Sequence, residues 1–88
     1  MPLVEFAAHL RRYVDCPPQQ VDQRQVRAAL NAALARAPGL QHYVFDDQYA
    51  LRAHVAVFVN GERIQPHELD RELGDEDRVY VVQALSGG

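Results

Sequence analysis

A run of apolar residues that ends at an asparagine-glycine pair limits the fold of this chain more than any other feature. The run, Val55-Ala56-Val57-Phe58-Val59, follows His54 and has no polar position. A strand that is apolar on both faces is typical of the middle of a sheet, so residues 54–59 are predicted to form a central strand. Asn60-Gly61 is favoured in tight hairpin turns with two positive φ angles, which predicts that Glu62-Arg63-Ile64 begins the return strand.

Three further segments have the composition of strands. Val4, Phe6 and Ala8 alternate with their neighbours, which predicts a first strand over residues 3–8. A short second strand is expected to end near Val21, and residues 78–82 form the last strand. Residues 9–16 fit either one helical turn or extended chain before Pro17-Pro18, and we interpret them as an irregular loop.

The central part of the chain has the periodicity of a helix. Apolar residues recur at spacings of three and four and share one face: Val26, Leu30, Ala33, Leu34 and Ala37. The pattern predicts a helix over residues 22–37 in which Asp22 caps the first turn and Gln25 occupies the capping-box position. Pro38-Gly39 is expected to end it, with the glycine in a left-handed conformation. Leu30 and Leu34 are then expected to pack against Phe6, and Arg27 and Arg36 to face solvent.

The two remaining segments are connections. Residues 40–52 are predicted to form a helical turn followed by a loop. Residues 66–77 are polar and acidic, with Leu69 and Leu73 as the expected anchors. Strands, then one main helix, then strands indicate an α+β fold in which a mixed sheet curls round the helix.

Composition excludes several classes of protein. The 88 residues hold nine arginines, no lysine and twelve acidic residues, for a net charge of -3. A basic surface for nucleic acid is therefore not expected. One cysteine cannot form an internal disulfide, and no apolar run approaches the ~20 residues of a membrane span. Without a signal-peptide pattern at residues 1–5, the expected location is the cytoplasm.

No self-contained catalytic or metal site is predicted. The four histidines lack the spacing of a metal site: His9, His42, His54 and His67. Cys16 is interpreted as a semi-buried loop residue and not as a nucleophile. The acidic pair Asp46-Asp47 and the run Asp75-Glu76-Asp77 are typical of solvated loops and turns. There is no glycine-rich phosphate loop, so the chain is not expected to bind ATP or another cofactor by itself.

The tail of the sequence is Gln83-Ala84-Leu85-Ser86-Gly87-Gly88, directly after the last predicted strand. Terminal glycines can be incidental, because frayed ends tolerate any residue. They also suit a carboxylate that must enter a narrow catalytic channel, because a backbone without side chains approaches other groups closely.

Three stretches resemble the MoaD/ThiS family of ubiquitin-like sulfur carriers: residues 4–11, residues 51–62 and residues 75–88. The middle stretch, Leu51-Arg52-Ala53-His54-Val55-Ala56-Val57-Phe58-Val59-Asn60-Gly61-Glu62, resembles longer members, which include carriers of cysteine biosynthesis. Two positions depart from the family pattern. Many members have Asp-Gly-Asp where this chain has Asp75-Glu76-Asp77, and many have a proline where it has Gln83-Ala84.

The resemblance implies a β-grasp domain over residues 1–83, with four to five strands around one main helix, and a flexible tail over residues 84–88. It implies a non-catalytic carrier whose Gly88 is adenylated by a ubiquitin-activating-like adenylyltransferase of the MoeB/ThiF type, with ATP and magnesium. A sulfur donor, either a cysteine desulfurase or a sulfurtransferase, then leaves a thiocarboxylate on Gly88, and an acceptor synthase receives the sulfur. Leu85, Ser86 and Gly87 would give the channel access to Gly88. The pathway stays open: molybdopterin, thiamine, cysteine or a similar product.

Two alternatives stand beside the carrier. The chain could be a protein modifier conjugated through Gly88, although without lysine it offers no side-chain amine on which to polymerise. It could also be an interaction module whose glycines are incidental. A partner face for the adenylyltransferase is expected at Tyr80 and Val82, because alternation directs Val79 and Val81 towards the helix. The competing expectation is that residues 40–49 fold over that face.

Overall fold

Five strands form one mixed sheet in the computed structural model, which describes residues 1–7 and 17–83. Within these residues the strand order is β2-β1-β5-β3-β4. The bounds are β1 Leu3–Phe6, β2 Gln19–Gln20, β3 Val55–Val59, β4 Glu62–Ile64 and β5 Arg78–Gln83. The five predicted strands are thus confirmed, but β1 ends at Phe6, before Ala7, and β3 begins after His54. Ala8 lies outside the described residues.

The last strand, β5, lies in the middle of the sheet. It pairs in parallel with β1, from Leu3 opposite Arg78 to Phe6 opposite Val81. On its other side it pairs antiparallel with β3, and all remaining neighbours are also antiparallel. A parallel pair needs a long crossover, which the chain between β1 and β5 provides.

The hairpin between β3 and β4 has the predicted geometry. Asn60 has a φ of 52° and Gly61 a φ of 86°, so both central residues are left-handed. Such a turn matches the twist of the two strands it joins. The register is fixed from Val57 opposite Ile64 to Val59 opposite Glu62.

The main helix, α1, spans Val26–Ala35 and is shorter than predicted. The expected cap by Asp22 is wrong: Gln25 is the N-cap, and no side chain caps the helix. Gln25 is extended, with φ -126° and ψ 149°, and its backbone pairs with Glu72. This long-range pairing holds the residues before Val26 out of the helix.

Backbone carbonyls from a distant loop take the place of the cap. The N–H of Val26 donates to the carbonyl of Arg71 at 3.0 Å, and the N–H of Arg27 donates to that of Leu69 at 2.8 Å. Free N–H groups of a first turn need such acceptors. The loop between β4 and β5 therefore provides the hydrogen-bond acceptors for the first N–H groups of α1.

The helix ends before Pro38, as predicted, but Gly39 is not left-handed. It lies in a 3-10 turn, Pro38–Leu40, that leads directly into the short helix α2, Gln41–Val44. A second 3-10 turn, Pro66–Glu68, follows β4. The predicted helical turn and loop over residues 40–52 are confirmed.

The core lies between α1 and one face of the sheet, here called the inner face. Leu30, Leu34 and Phe6 are buried together, as predicted. The anchors Leu69 and Leu73 are also buried. This architecture is the α+β arrangement, a sheet packed against one main helix, that the resemblance implies.

The segment after α1 also belongs to this core. Leu40, Val44 and Phe45 are buried in the same cluster as the inner face. The expectation that residues 40–49 cover the opposite face of the sheet is therefore wrong. Their apolar side chains pack in the core, on the side of the sheet that faces α1.

Among residues 1–7 and 17–83, neither helix is long and apolar enough to cross a membrane.

Candidate functional site

Strand β5 presents different side chains to its two faces. Val79 and Val81 are 1% and 0% exposed, whereas Tyr80 is 40% exposed and Val82 is half-buried. Alternate residues of a strand point to opposite faces. The predicted assignment of Tyr80 and Val82 to the side away from the helix is confirmed.

Side chains from neighbouring strands join these two residues in a shallow groove. Phe58 lies opposite Tyr80 in the ladder, and Leu3 comes from the strand on the other side. The groove has a volume of about 720 Å³. We call this surface, formed by Leu3, Glu5, Phe58, Tyr80 and Val82, the outer face.

Sequence reasoning missed three contributors to the outer face, the acidic Glu5 and the two apolar residues Leu3 and Phe58. The sequence signal for Phe58 was the run of residues 55–59, which is apolar on both faces and so leaves one alternating set for the outer face; the burial of Val57 and Val59 shows that Phe58 belongs to that set. For Leu3 the signal was the alternation with Val4, which is fully buried. Both apolar residues are half-buried, so the groove has an apolar floor.

At one end of β5 a set of hydrogen bonds fixes the strand to the hairpin. The Nδ2 of Asn60 donates to Oδ1 of Asp77 at 2.9 Å, and Oδ1 of Asn60 accepts the N–H of Arg78 at 2.9 Å. Oδ2 of Asp77 accepts the N–H of Gly74 at 2.8 Å. The bond from Asn60, followed by that from Gly74, lowers the pKa of Asp77 below its ordinary value. Turn chemistry thus explains Asp77, as predicted.

The other end of β5 leads to the tail. Gln83, the last described residue, lies opposite Val55 on β3. The predicted site residues that follow are outside the described residues: Leu85, Ser86, Gly87 and Gly88. Cys16 and His9 also lie outside them.

The candidate metal ligands and acidic pairs do not converge. Within the described ranges 1–7 and 17–83, no three histidine, cysteine or acidic side chains are placed to hold a metal ion. The ring of His54 packs edge-on against Tyr43, with centroids 5.8 Å apart. Asp46 accepts the N–H groups of Ala50 and Gln48 at 3.0 and 2.8 Å, and these two bonds lower its pKa and close the loop that contains it.

Comparison with known families decides the assignment. The model of the ThiS family matches residues 4–88. The chain belongs to the ThiS family. No curated protein matches the sequence significantly.

Solved structures have the same fold as this ThiS-family chain. SAMP1 from Haloferax volcanii is 27% identical, with a TM-score of 0.83, and the match covers 99% of this chain and 98% of that one. The small archaeal modifier protein 1 (SAMP1) from Methanosarcina acetivorans is 23% identical, with a TM-score of 0.82 and coverage of 99% and 95%. A chain in the Amycolatopsis orientalis BexX/CysO complex is 20% identical, with a TM-score of 0.82 and complete coverage of both chains.

These likenesses confirm the β-grasp, ubiquitin-like fold and the resemblance found in the sequence. The family comprises ubiquitin-like sulfur carriers and modifiers, which are small carrier proteins and not catalysts.

Proposed function

We propose that this chain is a sulfur carrier whose Gly88 carboxyl group is activated by a partner adenylyltransferase and converted to a thiocarboxylate. The family match, which runs through Gly88, is the observation that carries the proposal. The position of β5 in the centre of the sheet supports it, since the tail follows a strand that is held on both sides.

The proposed chemistry is a series of substitutions. The Gly88 carboxylate attacks the α-phosphorus of ATP, pyrophosphate leaves, and an acyl-adenylate forms. The terminal sulfur of a persulfide on a cysteine desulfurase or a sulfurtransferase then attacks the acyl carbon, and AMP leaves with the bonding electron pair. A thiol of the donor attacks the S–S bond of the resulting acyl disulfide, so the donor is left as a disulfide and the thiocarboxylate leaves with the electron pair of the broken bond. The resulting thiocarboxylate is ionised at pH 7 and nucleophilic at sulfur, as thiolates are, so it can attack an acceptor held by a synthase.

This chain would supply the Gly88 carboxyl group and a tail that can enter the catalytic channel. The partner would supply ATP, magnesium and the catalytic groups. Gly87 has no side chain to obstruct a narrow channel. The outer face offers apolar area beside the strand that leads to the tail, and exposed apolar area of this kind marks partner surfaces. Because the partner consumes ATP, activation would take place in the cytoplasm.

A protein modifier is the second candidate. Its support is the likeness to SAMP1 from Haloferax volcanii, at 27% identity over nearly the whole chain. In that case a lysine amine of another protein attacks the acyl carbon of the adenylate, AMP leaves, and an isopeptide bond forms. The 88 residues contain no lysine, so a single conjugation is expected and not a polymer on side-chain amines.

Intact-mass analysis of the protein from its native host separates the two candidates. A carrier shows the mass gain of one oxygen exchanged for sulfur, and a modifier shows adducts with whole proteins. Deleting Gly88 should abolish adenylate formation by the cognate adenylyltransferase, and Gly87→Val should nearly abolish it because a β-branched side chain enters the channel. Gln23→Ala, at an exposed residue before α1, is the control. Normal adenylation of the truncated chain would contradict both candidates.

The outer face has its own test. Val82→Asp should weaken binding to the adenylyltransferase with little change in melting temperature, because Val82 is only half-buried. Gln23→Asp places the same carboxylate at an exposed residue that is not part of the outer face and should leave affinity unchanged. Equal affinity for both variants would assign Val82 to packing alone.

A further inference from the structure

Three residues of the outer face, together with Arg63 of the neighbouring strand β4, form one row across four strands. The register places Glu5 of β1 opposite Tyr80 of β5, Tyr80 opposite Phe58 of β3, and Phe58 opposite Arg63 of β4. Directly paired residues point to the same face of a sheet. We call this set the outer row. At ~4.8 Å between neighbouring strands, its two ends lie about 14 Å apart.

The outer row has a negative end, an aromatic middle and a positive end. Glu5 and Arg63 have no ion pair and no side-chain hydrogen bond with any part of the chain that the structure describes. Arg78 also lies on this side, but on the middle strand and at the end away from the tail. It therefore does not cancel the difference between the β1 and β4 sides.

We infer that the outer row fixes the direction in which the activating adenylyltransferase docks. The complementary surface presents a cationic side chain to Glu5 and an anionic side chain to Arg63, on either side of an apolar patch that covers Tyr80 and Phe58. This inference rests on the proposed function and names the chemistry of its partner.

The physical basis is the separation of the two charges. About 14 Å exceeds the screening length of ~8 Å at physiological salt, so each end acts on its own contact. A partner docked the other way round would set like charges against each other at both ends. Complementary charges of this kind determine orientation and association rate more than they determine total affinity.

The size of the outer face indicates which kind of partner binds there. It favours an enzyme that also binds the tail, and it is less suited to a second copy of this chain. Four strands at ~4.8 Å and five residues at ~3.3 Å give a face of about 14 by 13 Å, roughly 180 Å² in projection. A stable interface buries about 800 Å² on each partner, so the outer face is too small alone. Residues 84–88 follow β5 in the sequence, and an enzyme that binds them adds their contact area to that of the outer face.

Steady-state adenylation tests the inference with the native host's adenylyltransferase, at low and high salt. Glu5→Arg and Arg63→Glu should each raise the KM for this chain about five- to tenfold at low salt, and less at high salt. The double variant keeps the net charge of the wild type but inverts the row, so its KM should rise further. Asp47→Arg and Arg36→Glu make the same charge changes at exposed residues off the outer face and should leave KM unchanged. Melting curves check that each variant is folded.

Three results would overturn the inference and leave the proposed function standing. A double variant with the KM of the wild type would show that only net charge matters. Single variants no worse than the two controls would exclude a role for the row. Concentration-dependent dimers of the wild type that dissociate in the double variant, seen by sedimentation velocity, would assign the row to a second copy. A wild-type chain that forms no adenylate at all would contradict the proposed function itself, and the docking direction with it.

Discussion

The two faces of the central sheet differ although they share the same strands. On the inner face, Val57, Val79 and Val81 are at most 1% exposed, under α1. On the outer face, Tyr80 is 40% exposed and lies beside the half-buried Phe58. The inner face therefore carries the stability of the domain, and the outer face keeps apolar area that folding does not use.

This difference means that neighbouring residues of one strand can be changed with opposite consequences. Along β5, a change at residue 79 or 81 acts on the core, and a change at residue 80 or 82 acts on a surface. The predictions below test that separation, starting with the largest expected effect.

Val81→Asp against Val82→Asp is the sharpest test. Burying a carboxylate at the fully buried Val81 should cost at least about 4 kcal/mol and unfold a domain of this size. The same change one residue later, at the half-buried Val82, should leave the cooperative unfolding transition in place. Denaturant melts followed by circular dichroism compare the two. Similar loss in both variants would mean that the faces do not differ in this way.

Leu34→Ala tests the helix side of the inner face. Leu34 is 1% exposed in the core cluster, so its loss removes transfer free energy and leaves a cavity, at about 2–5 kcal/mol. Asn31→Ala, on the exposed side of the same helix, should change the free energy of unfolding by no more than ~0.5 kcal/mol. Equal stability of the two variants would contradict the packing of α1 on the sheet.

Arg27→Ala should cost about 1 kcal/mol, more than Arg36→Ala. Nη1 of Arg27 donates to the carbonyl of Tyr49 at 2.8 Å, and its guanidinium lies 6.0 Å from the centre of the Phe45 ring. Arg36 is exposed and its main partner is the side chain of Gln19, so its loss should cost at most ~0.5 kcal/mol. Urea melts of both variants at one salt concentration measure the difference; the reverse order would contradict it.

The smallest effect is a pH dependence at the end of β5, outside both faces. The pKa of Asp77 is lowered from its ordinary 3.8, so its ionised form stabilises the fold above that pH. This contribution is lost as the pH falls from about 4 through the lowered pKa. Asp77→Asn should therefore flatten the acid side of a plot of melting temperature against pH. An acid limb identical to that of the wild type would exclude the contribution.

The sequence predicted the parts of the fold that depend on local pattern. Residues 54–64 are an example, because alternation, a buried run and the turn preference of Asn60-Gly61 act over a few residues. The start of α1 was missed because its cause is remote. Gln25 is held extended by Glu72, and the first N–H groups bond to carbonyls at residues 69 and 71. Aspartate is a residue type that commonly caps helices. At Asp22 it does not, because the nearby Gln25 pairs with Glu72, some 50 residues away.

The candidate site was also predicted only in the part that depends on local pattern. Tyr80 and Val82 follow from alternation within one strand. The pairing of Tyr80 with Phe58 and Glu5 requires the strand order, which local patterns do not specify. Arg27 was expected to face solvent, because helical spacing gives no sign that a later loop folds back to contact it. The roles of Leu85, Ser86, Gly87 and Gly88 remain predictions.

The central position of β5 has a mechanical consequence for any protein that binds the tail. A force applied at Gln83 along the axis of β5 would load this strand in shear. It would act on the hydrogen bonds to β1 and to β3 at the same time. Bonds loaded together in shear resist far more than an edge strand peeled away one bond at a time. A partner enzyme that draws in residues 84–88 would therefore pull the whole domain towards its surface without unravelling the sheet.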